Sequence, residues 1–417
     1  MKRMNVLVFL LCVATAITLP AQTYTALSTF DDSDGASPYA GLVQATDGNF
    51  YGTTFFGGAA NAGTVFKVTP SGTLTTLYSF CSKANCADGQ APFAGLVQAT
   101  NGDFYGTTYT GGARSLGTVF RITSTGKLTT LHSFSGTDGE VPYAALIQAA
   151  NGDLYGTTFE GGAELDGTIF KITPNGTLTT LHSFSGTDGE HPTGALVQAT
   201  DGDFYGTTLQ AGARGYGTVF KITPSGTLTI LYSFCSTGGL PCSDGENPYG
   251  GLVQAANGNF YGTTQFGGAT LECGQAGCGT VFKITPTGTL TTLHHFVGTD
   301  GWQPYAALVR ATDGNLYGTT VLGGPAYVTG GAVGWGTIFK ITPSGALTTL
   351  YSFCAQGFPC PDGVNPYAGL MQATDGSFYG TAESGGVAGA CTDGIGCGAV
   401  FSLSVGLEPF RLHASQP

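Results

Sequence analysis

Seven aspartates, each followed by glycine, punctuate the chain at Asp34, Asp88, Asp138, Asp188, Asp244, Asp300 and Asp362. If these stations converge on one axis, their carboxylates form an acidic ring suited to a hard cation such as calcium, which takes oxygen ligands. The same dipeptide also makes an Asx turn, in which the carboxylate caps its own loop and glycine takes the special dihedral. The repeat favours the turn, because the unit recurs unchanged whether or not its neighbours are close enough to share an ion. No cofactor is expected beyond that calcium.

Stacking is the second chemistry on offer. Both tryptophans sit in one repeat, Trp302 in "DGWQPY" and Trp335 in "GGPAYVTGGAVGWG", with Tyr327 beside the latter. Aromatic side chains on loops suit sugar rings or a peptide; the plainer role is to anchor a long glycine-rich loop. Catalysis has weaker support. His132, His182 and His294 occupy the position held by Tyr78, Tyr232 and Tyr351 in other copies, so they read as outer-strand residues, and no nucleophile elbow, zinc-protease pattern or phosphate loop occurs. Glycoside chemistry needs only two placed carboxylates. Glu160, Glu164, Asp166, Glu272 and Glu383 fall in loops of one face, which keeps a polysaccharide hydrolase or lyase as the alternative to a binding scaffold.

The elements that position these residues come from a repeat. "FYGTT" or a close variant recurs with its tyrosine at Tyr51, Tyr105, Tyr155, Tyr205, Tyr261, Tyr317 and Tyr379, at intervals of 50 to 62 residues. That interval is too long for one solenoid rung and suits a four-stranded propeller blade. The unit from Tyr39 to Phe80 splits at its turn signals into four β-prone runs, strands A ("AGLVQA"), B ("NFYGTT"), C ("TVFKVT") and D ("TLTTLYSF"). An Asp-Gly or Asn-Gly pair joins A to B in all seven copies, the signature of a tight hairpin, so the four runs form an antiparallel meander. The seventh copy lacks a D strand, whereas the chain opens with an orphan D-like stretch, "TYTALSTF" (Thr23 to Phe30). The expected fold is therefore all-β: a seven-bladed β-propeller of four-stranded antiparallel blades, closed by an N-terminal strand that completes the last blade and removes the exposed edges. D–A and B–C connections then share one face, and the tight A–B and C–D turns the other.

Composition agrees, with 69 glycines and only 10% charged residues. Lys2 and Arg3 precede an apolar run ending at "PAQ", which reads as a secretory signal over residues 1–21, with the propeller over 22–410 and a tail over 411–417. Cys12 lacks the small residues that precede a lipidation site. The formal charge is −12, or −14 without Lys2 and Arg3, which disfavours nucleic acid. No other stretch approaches a membrane span. The expected product is a monomer that is secreted, periplasmic or on the cell surface, with an extracellular glycan or protein as partner.

The units "GLVQATDGNFYGTT…GGAxxxGTVFKITPSGTLTTLYSF" resemble the GloVer tandem repeats of exported bacterial "choice-of-anchor" proteins, over roughly Thr23 to Phe410. The resemblance implies a secreted or surface-anchored repeat protein and carries no established chemistry. Members of this kind often continue into a further module or a C-terminal anchor, whereas this sequence stops soon after "GLEPF".

The ten cysteines other than Cys12 form five close pairs: Cys81 with Cys86, Cys235 with Cys242, Cys273 with Cys278, Cys354 with Cys360 and Cys391 with Cys397. In an exported chain, variable spacing without nearby histidine reads as local disulfides, not zinc. Non-reducing peptide mapping is expected to recover five intra-loop cross-links; links between different pairs, or free thiols in the native protein, would refute the assignment.

Overall fold

A computed structural model describes residues 22–236, 238–325, 333–386, 391 and 396–410. The signal segment, the tail and Tyr327 lie outside them. Seven four-stranded antiparallel sheets form, each in the spatial order A-B-C-D. In blade 1 the strands are A (Val43–Gln44), B (Phe50–Thr54), C (Thr64–Val68) and D (Leu74–Ser79), and blades 2 to 6 repeat the pattern. Blade 7 takes A, B and C from the C-terminal end (Met371–Gln372, Phe378–Ala382, Ala399–Ser404) and its D strand, Thr23–Thr29, from the N-terminus. The expected seven-bladed propeller and its mode of closure are what the structure shows. Strand A differs in length, with two ladder residues per blade where the sequence suggested six. The residues before the ladder run along the central channel as small side chains, such as Ala40 and Gly41.

Strands B and C carry the core. Every B residue is buried, as is every C residue except the fourth in blades 1 to 6. Blade meets blade through ring contacts from strand B to strand B wherever the partner is phenylalanine: Tyr51 stacks on Phe104 at 4.2 Å and Tyr155 on Phe204 at 4.1 Å, and Tyr317 lies tilted on Phe378 at 4.2 Å, while Leu154 and Leu316 take the partner position in blades 3 and 6. Tyr379 on Phe50, at 4.0 Å, makes the same contact between the last blade and the first. Such pairs add about 0.5–1.5 kcal/mol to their burial. The A–B turn holds each tyrosine in register, since the Tyr51 hydroxyl donates to Asp47 (2.8 Å) and the Asn101 amide donates to the Tyr105 hydroxyl (2.9 Å). The glycine of "FYGTT" is required by close approach: a Cβ on Gly52 would lie 2.6 Å from the Phe66 ring.

Each C–D pair carries a β-bulge, at Val65/Phe66 in blade 1 and at Ala26/Ser28 in blade 7. The extra residue is a leucine whose carbonyl abuts the C–D turn glycine of the next blade, as Leu27 does with Gly72, where a Cβ would come within 2.4 Å. At the seam blade 7 has no such turn after strand C, and the Gln22 side chain donates to the Leu350 carbonyl in its place. Tyr24 seals the same seam. Its ring stacks on Tyr351 of blade 6 (4.0 Å, 5° between planes), and its hydroxyl donates to the Asp362 carbonyl.

Removing residues 22–30 strips the blade 7 C strand of six backbone pairings. The deletion is expected to lower and broaden urea unfolding and to promote association through the bared edge. Tyr24→Ala alone should cost about 3 kcal/mol. An unchanged denaturation midpoint in the deletion would show that the ring does not depend on this strand.

Candidate functional site

The chain reverses at every strand, so D–A and B–C connections emerge together, and these contain all five disulfides. The bonds join the partners that the spacing suggested. Cys81 bonds Cys86, Cys235 bonds Cys242 and Cys354 bonds Cys360 in D–A connections, while Cys273 bonds Cys278 and Cys391 bonds Cys397 in B–C connections. Within the pairs, Cys242, Cys278, Cys360 and Cys397 are buried, whereas Cys86 is only half-buried at the end of a short 3-10 turn.

Each of the seven aspartates is bound inside its own D–A loop. Asp88 accepts from the Tyr78 hydroxyl (2.7 Å) and the Ser82 N–H (2.9 Å); Asp138 lies 2.8 Å from His132 Nε2 and accepts from the Ser135 N–H (2.8 Å). Asp188, Asp244, Asp300 and Asp362 pair in the same way with His182, Tyr232, His294 and Tyr351. Loop length decides between the two partners: tyrosine stands 10 to 12 residues before the aspartate where a disulfide lengthens the loop, histidine 6 before it where none does. Several of these loops also span the blade boundary, since the Asp138 carbonyl accepts from Thr168 on strand C of the next blade. Among the described residues no three His, Cys, Asp or Glu side chains gather as a metal site.

Asp34 is the exception. The matching D-strand position is Ser28, and the Asp34 carboxylate accepts from the Asp31 N–H instead. Burial raises its pKa, helped by the charge of Asp31. For Asp88 and Asp138 burial also pushes upward, but the hydrogen bonds from tyrosine or histidine and from serine outweigh it and hold both below the usual carboxylate value.

Trp302 and Trp335 have different surroundings. Trp302 packs on the core between blades 5 and 6, while Trp335 packs on the Cys354–Cys360 disulfide and meets the exposed Phe358 edge to face at 5.4 Å. A cleft of about 180 Å³ opens between Gly324, Trp335 and Phe353. The loop acids are scattered, but Glu140 and Glu160 stand opposite each other on a β-bridge, and burial plus the Glu160 charge raise the Glu140 carboxyl. Glu383 accepts from the Tyr39 hydroxyl at 3.1 Å.

That hydroxyl belongs to the most concentrated surface on this face. The residue entering each strand A follows a proline, and at six of seven positions it is aromatic: Tyr39, Phe93, Tyr143, Tyr249, Tyr305 and Tyr367, with Thr193 at the seventh. Their rings form a closed collar around the channel mouth, with successive centroids at 5.0, 3.9, 5.8, 4.5, 5.2 and 5.2 Å from Tyr39 round to Tyr39. The residue before that proline has positive φ in each blade, as in Ser37 and Ala91, which turns the chain sharply inward and aims the ring at the axis. The collar rings are half-buried and line a cavity of about 330 Å³. Thr193 donates to the Tyr249 carbonyl (2.8 Å) and leaves a notch in blade 4. Gln265 donates to the Tyr305 hydroxyl at 2.6 Å. Burial pushes the Tyr143 and Tyr305 hydroxyls up to about 12, so both stay protonated at neutral pH. The sequence signal for this collar is the aromatic residue that recurs directly after a proline.

A sequence profile described as the Gloeobacter/Verrucomicrobia repeat matches residues 13–198, 115–327 and 268–414. No curated protein matches the chain in sequence. Among solved structures, the fold is similar to virginiamycin B lyase from Staphylococcus aureus (14% identity, 92% of this chain and 99% of that one, TM-score 0.58). It is also similar to a streptogramin B lyase (13%, 92% and 97%, TM-score 0.59) and to the extracellular domain of a B. thetaiotaomicron protein assigned to a hybrid two-component system (12%, 95% and 45%, TM-score 0.56). At these identities the likeness is one of fold.

Since Asp88 and Asp138 titrate below their unfolded value, their contribution to stability is complete above about pH 4 and is lost as pH falls through the folded values. Asp138→Asn should cost about 1.5–3 kcal/mol at pH 7. Asp34→Asn, which relieves an unfavourable charge, should leave the urea midpoint unchanged or raise it. Equal losses in both variants would refute the distinction.

Proposed function

The chain belongs to the Gloeobacter/Verrucomicrobia repeat family, and from that premise we propose that it is an exported binding scaffold whose aromatic collar takes a sugar ring of an extracellular glycan. One observation carries the reading: six half-exposed rings converge on a single channel mouth, at the centre of the face that also carries the long, disulfide-bonded loops. Sugar C–H faces stack on such rings, while the Tyr39–Glu383 and Gln265–Tyr305 pairs supply polar groups at the same depth. Export is supported by the five disulfides, which persist in oxidising compartments. Among the described residues no helix is long and apolar enough to cross a membrane. Trp335 and Phe358 would extend contact toward blade 6, while Trp302 packs on the core between blades 5 and 6.

A second reading, polysaccharide hydrolase or lyase, is favoured by the facing Glu140 and Glu160, one of them with its pKa raised, as an acid–base pair requires. Product release from a glycan that both Glu140→Gln and Glu160→Gln abolish would establish it.

Glycan and peptide arrays probed with wild type and variants test the main reading. Tyr249→Ala and Tyr305→Ala are expected to weaken glycan binding by about 2 kcal/mol or more, and Trp302→Ala or Trp335→Ala by less. Peptide binding alone would replace the glycan with a protein partner. A ligand indifferent to the collar variants but lost on chelation of calcium would move the site to the aspartate loops.

A further inference from the structure

The opposite mouth of the channel is walled by glutamines. The second residue of strand A is Gln44, Gln98, Gln148, Gln198, Gln254 and Gln372 in six blades. Each side chain links two blades: Oε1 accepts a backbone N–H of the preceding blade, as Gln98 does from Thr46 (3.0 Å) and Gln254 from Thr200 (3.1 Å), while Nε2 donates to a turn glycine of its own blade. In blade 6 the residue is Arg310. A guanidinium has five donors and no acceptor, so the Ala256 N–H, which stands where the Thr200 N–H stands one blade earlier, finds no side-chain acceptor at this position of blade 6. Arg310 itself is exposed and forms no ion pair among the described residues.

The charge around this gap is also distinct. In blades 2 to 4 the A–B turn carries Asp103, Asp153 and Asp203, each beside a strand C cation: Arg121 (3.7 Å), Lys171 (3.8 Å) and Lys221 (2.8 Å). Blade 5, whose turn borders Arg310, has Asn257 and Asn259 at its turn, yet keeps Lys283 on strand C. Two cations therefore flank a turn without a carboxylate, in a protein of strongly negative net charge. A cavity of about 620 Å³ opens there, lined by Gln198, Thr200, Gln254, Ala256 and Arg310.

We propose that this gap is an oxyanion site, in which Arg310 and the Ala256 N–H bind the carboxylate or sulfate group of a small or chain-end ligand. The fork of a guanidinium matches two oxygens of such a group, and the main-chain donor lies at its side. A substitution tests the site in both directions, because Arg310→Gln restores the residue of the other six blades. In titration calorimetry of the intact ring with sodium sulfate and sodium glucuronate, at ionic strength matched with sodium chloride, wild type is expected to show saturable binding. Arg310→Gln should bind at least about tenfold more weakly, the loss of a charged hydrogen-bonding partner, and melt higher in chloride alone because its ring of linked blades is complete. Preference between sulfate and glucuronate identifies the ligand class. Equal affinity in wild type and Arg310→Gln, or no binding beyond the chloride control, would overturn the proposal.

Discussion

The ring depends on one pairing, between the strand Thr23–Thr29 and the strand Ala399–Ser404. Every other blade is built from local hairpins, whose loops close at small entropic cost. This one joins opposite ends of the chain and can form only when all seven wedges have the right thickness and tilt. Tyr379 on Phe50, Tyr24 on Tyr351 and Gln22 on Leu350 are the contacts that check that condition. Both channel mouths inherit their geometry from it, because collar and glutamine ring are each shared among neighbouring blades.

The architecture could be read from the sequence because two independent signals agreed: a repeat of blade length, and termini out of phase with it. The cysteine pairing was equally accessible, since each pair lies within one loop. Strand A was overestimated because "AGLVQA" has strand-like composition, whereas around a narrow channel its first residues serve as lining and only two join the ladder. The collar escaped notice for a related reason. Periodicity shows that Tyr39, Phe93 and Tyr143 recur, but not at what radius they sit, and a recurrent aromatic beside a strand looks like core. The aspartates were recognisable as turn residues, yet their partners on strand D were not, because disulfide-bearing insertions change the spacing from 6 to as many as 12 residues.

Departures from the repeat carry more functional information than the repeat itself. Thr193 leaves a notch in the collar in blade 4 and Arg310 interrupts the glutamine ring in blade 6. Each is an unremarkable substitution in a linear sequence. Each acquires meaning only when the equivalent positions are known to meet around an axis, since a single missing aromatic then notches one ring and a single missing acceptor interrupts the other. One irregularity lies at each end, which gives an otherwise rotationally uniform channel a defined orientation.

Because the clasp is made from a lone D strand at one end and an A-B-C remainder at the other, the chain is divided within a blade, not between blades. Any recombination event that inserts or deletes one whole unit leaves both termini unchanged and still complementary. The gene can thus change its blade number without redesigning its seam, and the limit on such change is set by wedge angle: the stacked tyrosine and phenylalanine rings between blades would have to be exchanged for side chains of another thickness before six or eight units could meet.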